Sequence, residues 1–211
     1  MDKFINFFIA FFICVALFLQ ASFSFANDKK QFYALVGLGT VDYGITTSDL
    51  QSLNTSLVNL GYSSSYSTTD NAGLYWKAHG GMSINEYLAI EGGYTSLGTL
   101  TIDTTLTGPA ETVKTELSGK SFEITGLAKY TFTEGNYAYF RLGAHFWDLD
   151  TSITTTKGSG TFPVSSGSDV TYGLGYHWKV GGKSGFRVEY QGYQLGSGDI
   201  NTFHISYVLG L

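Results

Sequence analysis

The stretch Gly73–Gly98, GLYWKAHGGMSINEYLAIEGGYTSLG, constrains this chain more than any other. On its first arm Leu74, Trp76, Ala78, Gly80 and Met82 alternate with Tyr75, Lys77, His79 and Gly81. On its second arm Leu88, Ile90, Gly92 and Tyr94 alternate with Ala89, Glu91, Gly93 and Thr95, and the polar turn Ser83-Ile84-Asn85-Glu86 lies between. Strict period-two alternation around a short turn predicts a β-hairpin. One face of it is apolar and aromatic, while the other carries Lys, His and Glu. A soluble β-protein would turn those charges to water. In a membrane the pattern reads inside out, with the apolar face to lipid and the charges in a lumen.

The N-terminus separates the two solutions. Lys3 precedes the apolar run Phe4–Leu19, and Ser24-x-Ala26 fits the small-residue cleavage rule. Residues 1–26 are therefore predicted to be a cleaved export signal and 27–211 a single mature domain. The run is shorter than the roughly 18 apolar residues of a spanning helix. Cys14, the only cysteine, lies inside it without a lipoprotein box, so the exported domain has no disulfide to stabilise it. After Ala26 no apolar run is long enough for a transmembrane helix. The 27 Gly, 16 Phe and 15 Tyr against 2 Pro favour strands. A formal charge of −5 without a basic cluster gives no basis for a nucleic-acid partner.

The alternation recurs along the chain. A first strand is predicted over Phe32–Ile45, its facing ambiguous because Leu35 and Val36 compete. The hairpin supplies the second and third. The fourth sets Phe122, Ile124, Gly126, Ala128, Tyr130 and Phe132 against Glu123, Thr125, Leu127 and Lys129. The fifth sets Ala138, Phe140, Leu142, Ala144 and Phe146 against Tyr139, Arg141, Gly143, His145 and Trp147. The sixth places Val170, Tyr172, Leu174, Tyr176 and Trp178 opposite Thr171, Gly173, Gly175, His177 and Lys179. In the seventh Phe186, Val188 and Tyr190 oppose Arg187, Glu189 and Gln191; in the eighth Phe203, Ile205, Tyr207, Leu209 and Leu211 oppose His204, Ser206, Val208 and Gly210. Connections alternate between short turns and long polar segments, about 46–69, 102–117 (with Gly108-Pro109) and 151–168. Within the first, Ser48 is a candidate cap for a helix bearing Leu50, Leu53, Leu57 and Leu60 and ended by Gly61. Short turns on one side and long loops on the other predict an all-β, eight-stranded antiparallel transmembrane β-barrel, an up-and-down meander. Its last strand pairs with its first.

At this point the residues resemble a known family. GLYWKAHGGMSINEYLAIEGGYTSLG, LAKYTFTEGNYAYFRLGAHFWDLD and YGLGYHWKV…GFRVEYQGY are similar to the OmpA-like outer-membrane β-barrel family over essentially the whole mature chain. The motifs are diffuse Gly-aromatic spacings, which speak to fold more than to activity. The resemblance is to the barrel domain, with no peptidoglycan-binding domain expected after the eighth strand. The chain ends on Leu211 where such barrels usually end on an aromatic, with Phe203 and Tyr207 keeping the alternation. It implies the outer membrane of a Gram-negative bacterium, with both termini periplasmic. It also implies membrane lipids and lipopolysaccharide as surroundings, and the barrel-assembly machinery as a partner during biogenesis. The role expected is non-enzymatic, envelope structure or surface recognition through the extracellular loops, with a narrow porin-like channel as the alternative.

By parity the inward set holds Lys77, Glu91, Glu123, Lys129, Arg141, Lys179, Arg187 and Glu189. The interior of an eight-stranded barrel is just wide enough for side chains to fill, so buried charges there must pair. Counted from the short turns, Glu91, Lys129, Arg141, Lys179, Arg187 and Glu189 share the periplasmic half and are predicted to form a structural charge layer that plugs the lumen. The competing reading is a narrow, gated ion path. His79, His145, His177 and His204 also face inward, but only His145 and His177 sit on neighbouring strands, so no metal and no cofactor is expected. His204-Ile205-Ser206 invites comparison with a lipid A deacylase. The pair has lumen parity with no Glu on the lipid face, so catalysis is not expected. The long segments, rich in Ser, Thr and Gly, are read as solvated loops that offer a surface for an extracellular ligand.

Overall fold

The computed structural model describes residues 31–61, 64–70, 73–107, 110–196 and 198–211. The predicted export signal and its cleavage site, with Gly108-Pro109, lie outside the described residues. The elements in order are β1 (Gln31–Asp42), α1 (Thr47–Asn59), β2 (Ser64–Asp70), β3 (Gly73–Ser83), β4 (Leu88–Thr107), β5 (Glu111–Thr133), β6 (Asn136–Thr155), β7 (Gly158–Gly181), β8 (Ser184–Leu195) and β9 (Gly198–Gly210). Eight of these strands form an antiparallel ring in the order β4-β3-β1-β9-β8-β7-β6-β5, which β4 closes by pairing with β5. The first and last strands meet in register from Tyr33↔Gly210 to Asp42↔Asn201. Closure leaves no strand edge in the ring, so its backbone N–H and C=O groups pair without help from water.

The periodicity is resolved in the membrane sense. Leu74, Ile90, Ile124, Leu142, Leu174, Ile205 and Leu209 stand on the outside of the ring, whereas Lys77, Glu91, Glu123, Arg141, Arg187 and Glu189 are buried within it. Tyr33, Leu35 and Val41 are buried and Val36 and Leu38 point out, which fixes the facing of β1. Outward aromatics run edge to edge around the short-turn rim. Tyr130 and Phe132 lie 5.0 Å apart, Phe132 and Tyr176 6.2 Å, Trp178 and Phe186 5.9 Å, and Phe186 and Tyr207 5.5 Å. Trp76 and Tyr94 pair at 5.3 Å nearer the opposite rim. Amphipathic rings of this kind form the interfacial girdles of membrane barrels.

The short turns are as expected. Gly135 and Gly182 take positive φ (83° and 53°) in the two-residue connections β5–β6 and β7–β8. Asn85 Oδ1 accepts the Tyr87 and Leu88 amides at 2.8 and 2.7 Å to shape the β3–β4 turn. The long connections depart from expectation. Segments 102–117 and 151–168 are not loops: β4, β5, β6 and β7 run on for 20, 23, 20 and 24 residues. A bilayer takes only about 9–11 tilted residues. The rest, roughly ten residues at about 3.3 Å each, projects some 30 Å beyond it. In β4 the alternation of Leu100, Ile102, Thr104 and Leu106 with Thr101, Asp103 and Thr105 continues, with Leu100, Thr104 and Leu106 buried. In 151–168 the β-formers Thr, Ile, Phe and Val keep the chain extended with both faces largely exposed. A short ninth strand, β2, pairs with β4 from Ser64↔Thr107 to Asp70↔Thr101 and widens the projection to a five-stranded sheet, β2-β4-β5-β6-β7.

The helix is present, with its cap two residues earlier than expected. Thr46, not Ser48, is the N-cap. Its hydroxyl accepts the Asp49 amide at 3.3 Å, while Asp49 Oδ2 accepts the Thr46 amide at 2.8 Å, a reciprocal capping box. Leu53 and Leu57 of α1 face Ile102, Leu106 and Val113 across an apolar groove of about 290 Å³. Leu60 lies outside that groove and is exposed.

Two outcomes are expected. Leu142→Arg, at mid-height on the lipid face, should destabilise the barrel by about 2–4 kcal/mol in a urea titration in lipid, and Phe132→Arg at the rim by about 0–1 kcal/mol. The hydrogen bonds from Thr46 hold the Asp49 carboxyl below the ordinary carboxylate range. Its contribution to the helix cap is therefore complete above the unfolded pKa of about 3.9 and is lost as pH falls through the lower folded value. The protection of α1 amides relative to the intrinsic exchange rate at each pH should fall on acidification below about pH 4, and Asp49→Ala should abolish that fall.

Candidate functional site

The site is the interior of the ring. Alternation aims one side chain in two inward, and the short turns hold neighbouring strands in fixed stagger. Because the strands tilt and are staggered, residues at different distances from those turns meet at one height. Lys77 of β3, Glu91 of β4, Glu123 of β5, Arg141 of β6, and Arg187 and Glu189 of β8 converge there, each no more than 1 % exposed. Lone buried ions of this kind cost several kcal/mol each, and mutual pairing offsets that cost.

Arg141 is the hub. Its guanidinium pairs with Glu91, lies 2.8 Å from Glu189 and 3.6 Å from Glu123, and so bridges three carboxylates from three strands. Arg187 pairs with the other oxygen of Glu91, donates to the Tyr137 hydroxyl at 2.8 Å, and lies 5.1 Å from the ring centres of Tyr33 and Tyr139. Those distances are within cation–π range. Lys77 donates to Glu189 at 3.1 Å. Three bases thus face three acids, and hydroxyls take up the remaining lone pairs. Tyr33 donates to Glu91 at 2.6 Å, Tyr139 to Glu189 at 2.7 Å, and Tyr193 to Glu123 at 2.7 Å. Thr95 and the Gln191 amide also donate to Glu123. Towards the projecting sheet the lumen ends in an apolar cluster of Val41, Tyr75, Leu97, Tyr193 and Ile200.

Of the six residues predicted for the layer, Glu91, Arg141, Arg187 and Glu189 come together in this way. Lys129 and Lys179 do not. Lys129 sits lower, at the mouth, donating to Ser83 Oγ (3.2 Å) and the Asn85 carbonyl (3.0 Å). Lys179 is exposed on the rim, 3.6 Å from Glu134. Parity places both correctly, but the ring ends below them, where long side chains swing out to water. In their place Lys77 and Glu123, assigned by height to the other half, complete the cluster.

The tyrosines were not anticipated as partners. A signal for two of them lies in the paired register. Tyr33 faces Gly81 and Tyr139 faces Gly175, and a Cβ on either glycine would fall on the facing ring. Glycine lets each ring lie flat across the neighbouring strand and carry its hydroxyl to a carboxylate, the arrangement known as aromatic rescue.

The histidines are dispersed. His79 Nε2 lies 3.0 Å from Thr95 Oγ1, and His145 lies between Ser121 Oγ (3.1 Å) and the Gln194 carbonyl (2.8 Å). His177 stacks on Tyr137 and His204 on Tyr75, each at 4.7 Å. Among the described residues no group of three His, Cys, Asp or Glu side chains converges as a metal set. His204 and Ser206 are buried in the lumen while Ile205 and Tyr207 face outward, so the His-x-Ser pair is turned away from lipid.

A family model described as the outer membrane protein beta-barrel domain matches residues 10–209. No curated protein matches the chain. Among solved structures it is similar to Ail, the attachment invasion locus protein of Yersinia pestis, crystallised with the heparin analogue sucrose octasulfate. The two share 11% identity over 86% of this chain and 97% of that one, with a TM-score of 0.50. The N-terminal β-barrel domain of Pseudomonas aeruginosa OprF is 9% identical over 86% and 100%, with a TM-score of 0.47. Neisserial surface protein A is 11% identical over 86% and 99%, also at 0.47. The likeness to Ail is one of fold.

Arg141→Ala should leave three buried carboxylates facing two bases and cost about 3–5 kcal/mol. Lys179→Ala, which breaks a rim pair, should cost about 0–1 kcal/mol. The midpoint of heat modification on unboiled gels, measured for both variants, separates them; equal midpoints would remove Arg141 from its place as hub.

Proposed function

The chain belongs to the outer membrane protein β-barrel domain family, and from that premise we propose that it is a non-enzymatic envelope barrel whose extracellular sheet recognises a surface partner. Its place is the outer membrane. Export by a leader cleaved after Ala26, folding by the barrel-assembly machinery, and lipopolysaccharide around the apolar band belong to the same reading.

The observation that carries it is the five-stranded sheet above the barrel. Four ring strands continue into it without a break in pairing beyond single bulges at Ser96/Thr99 and Leu149/Asp150. A binding surface built this way is held rigid by the barrel, which limits the ordering cost of binding. Its outer strand, β7, pairs with β8 only from Thr171 onward, so residues 158–168 have a neighbour on one side alone. Near the tip, Ile153, Phe162 and Val164 are exposed. Lys114, Lys120 and Lys157 are outnumbered on this side by acids such as Asp103, Glu111, Asp148, Asp150 and Asp199. The sulfated ligand of the Ail structure would be repelled here, and the acidic excess favours an uncharged or basic partner.

The filled lumen supports this reading over conduction. Arg141, Glu91 and Glu123 are at most 1 % exposed, so no water-sized gap borders them. A conducting path would first have to separate their pairs.

Replacing residues 99–118 and 149–165 each with an Asn-Gly turn should leave a heat-modifiable barrel. The intact protein, probed on an array of matrix proteins and glycans, should bind uncharged or basic members, and the trimmed variant should lose that binding. Planar bilayers should show no conductance steps with either. Steady steps with a blank array, or equal binding by the trimmed form, would overturn the proposal.

A further inference from the structure

At the short-turn end the lumen widens into a cavity of about 680 Å³ between the β3–β4, β5–β6 and β7–β8 turns. Its charged side chains are all basic: Lys129, Lys179, Lys183 and Arg187, with no Asp or Glu in the lining. We infer that this periplasmic mouth is a binding site for an oxyanion, a phosphate or carboxylate group.

Three features set it apart from a solvated rim. First, two of its four cations, Lys129 and Lys183, are not neutralised in place, whereas Arg187 pairs with Glu91 and Lys179 lies 3.6 Å from Glu134. The Lys129 ammonium is met by a hydroxyl and a backbone carbonyl, and neither Lys129 nor Lys183 has a carboxylate within ion-pair distance among the described residues. Of the nearby acids, Glu86 is exposed on the β3–β4 turn, where it attracts Lys129 from beyond ion-pair distance and accepts from Tyr87; the others are committed or turned away. Glu91 is held by Arg141, Arg187 and Tyr33, and Glu134, which meets Lys179 at 3.6 Å, has its side chain almost wholly in water.

Second, the floor of the cavity contains buried nitrogens without partners. His177 is 8 % exposed and its Nδ1 has no hydrogen-bond partner, and the Arg187 Nε is likewise unmatched. The Arg187 Nε–H is a donor whose unpaired burial costs about 1–3 kcal/mol, the His177 ring donates from whichever nitrogen carries its proton, and an oxyanion oxygen accepts from such groups. Third, the low-dielectric wall of the barrel on every side concentrates the field of these charges toward the opening. The volume exceeds what a single phosphate fills, so a solute with two anionic groups, one on Lys129 and one on Lys183, suits it better than a monovalent ion.

The source of the anionic group is either a free periplasmic solute or the headgroup of an anionic lipid at the rim. Both have the same chemistry at Lys129 and Lys183. The test uses the full barrel in phosphatidylcholine nanodiscs, titrated calorimetrically with inorganic pyrophosphate at constant ionic strength. The intact protein should bind one equivalent saturably. Lys129→Ala with Lys183→Ala should weaken it at least tenfold while heat modification on gels stays intact. Lys114→Ala with Lys157→Ala, on the opposite side, should leave it unchanged.

Repeating the titration with phosphatidylglycerol in the disc assigns the source. Unchanged affinity points to a solute site, and loss of affinity to a site that the headgroup fills, and either supports an oxyanion site. No saturable heat, or equal weakening by the two double variants, would overturn the inference. Neither result touches the recognition proposal, which concerns the other end of the molecule.

Discussion

Closure of β1 onto β9 is the constraint from which the rest follows. In hydrocarbon every backbone amide and carbonyl must be paired within the protein, and an open sheet with the same strands would expose two unpaired edges. The register Tyr33↔Gly210 to Asp42↔Asn201 removes both. Once the ring is shut, alternation has only two faces to distribute, and lipid takes the apolar one. The charged face is then forced into a space too narrow to hydrate it. The clustering of Lys77, Arg141 and Arg187 with Glu91, Glu123 and Glu189 is the electrostatic consequence, since in that space an ion without a counter-ion would not be tolerated.

The ring was legible in the sequence because its period is two and its faces are chemically opposite. Seven of the eight predicted strands were anchored by that contrast, and the eighth, β1, was ambiguous only where Leu35 and Val36 compete. The projecting sheet was not legible. In 151–168 both faces are largely exposed, so the alternation that marks a half-buried strand disappears and Ser/Thr richness imitates a loop. In 102–117 one face is covered by α1, but polar Thr104 between Ile102 and Leu106 makes the alternation too sparse to read. The helix was found through its leucines, while its cap was misplaced. Thr46, Thr47 and Ser48 are all acceptable cap residues, and only the reciprocal Asp49 carboxylate selects Thr46.

The interior was half legible for a related reason. Parity gives the direction of a side chain but not its height, and height decides which charges meet. Lys129 and Lys179 point the right way from positions at the end of the ring, where a long flexible side chain reaches solvent more cheaply than it enters a crowded layer. Tyr33 and Tyr139 were missed as partners because parity can place a ring in the lumen without saying which carboxylate its hydroxyl reaches. Their facing glycines, Gly81 and Gly175, become visible only once the strands are paired. An inward glycine across from a large inward polar residue recurs at Gly37 and Lys77, Gly93 and His79, and Gly173 and Arg141. It is the mechanism by which a barrel of fixed circumference admits side chains as long as lysine and arginine.

The charge along the barrel axis is uneven, and this asymmetry joins the two ends in one argument. Acids predominate on the projecting sheet, bases line the mouth among the short turns, and the neutral cluster of three acids and three bases separates them. Neutral pairing at the centre lets the ends carry opposite excesses without either charge being drawn into the lumen, because the fields of three bases and three acids in contact cancel at a distance. Each end can then be tuned to its own partner. An acidic, rigid sheet suits a partner approaching from outside, and a basic vestibule suits an anion on the periplasmic side. With the centre closed by Arg141, the two surfaces proposed as sites are kept apart on one scaffold.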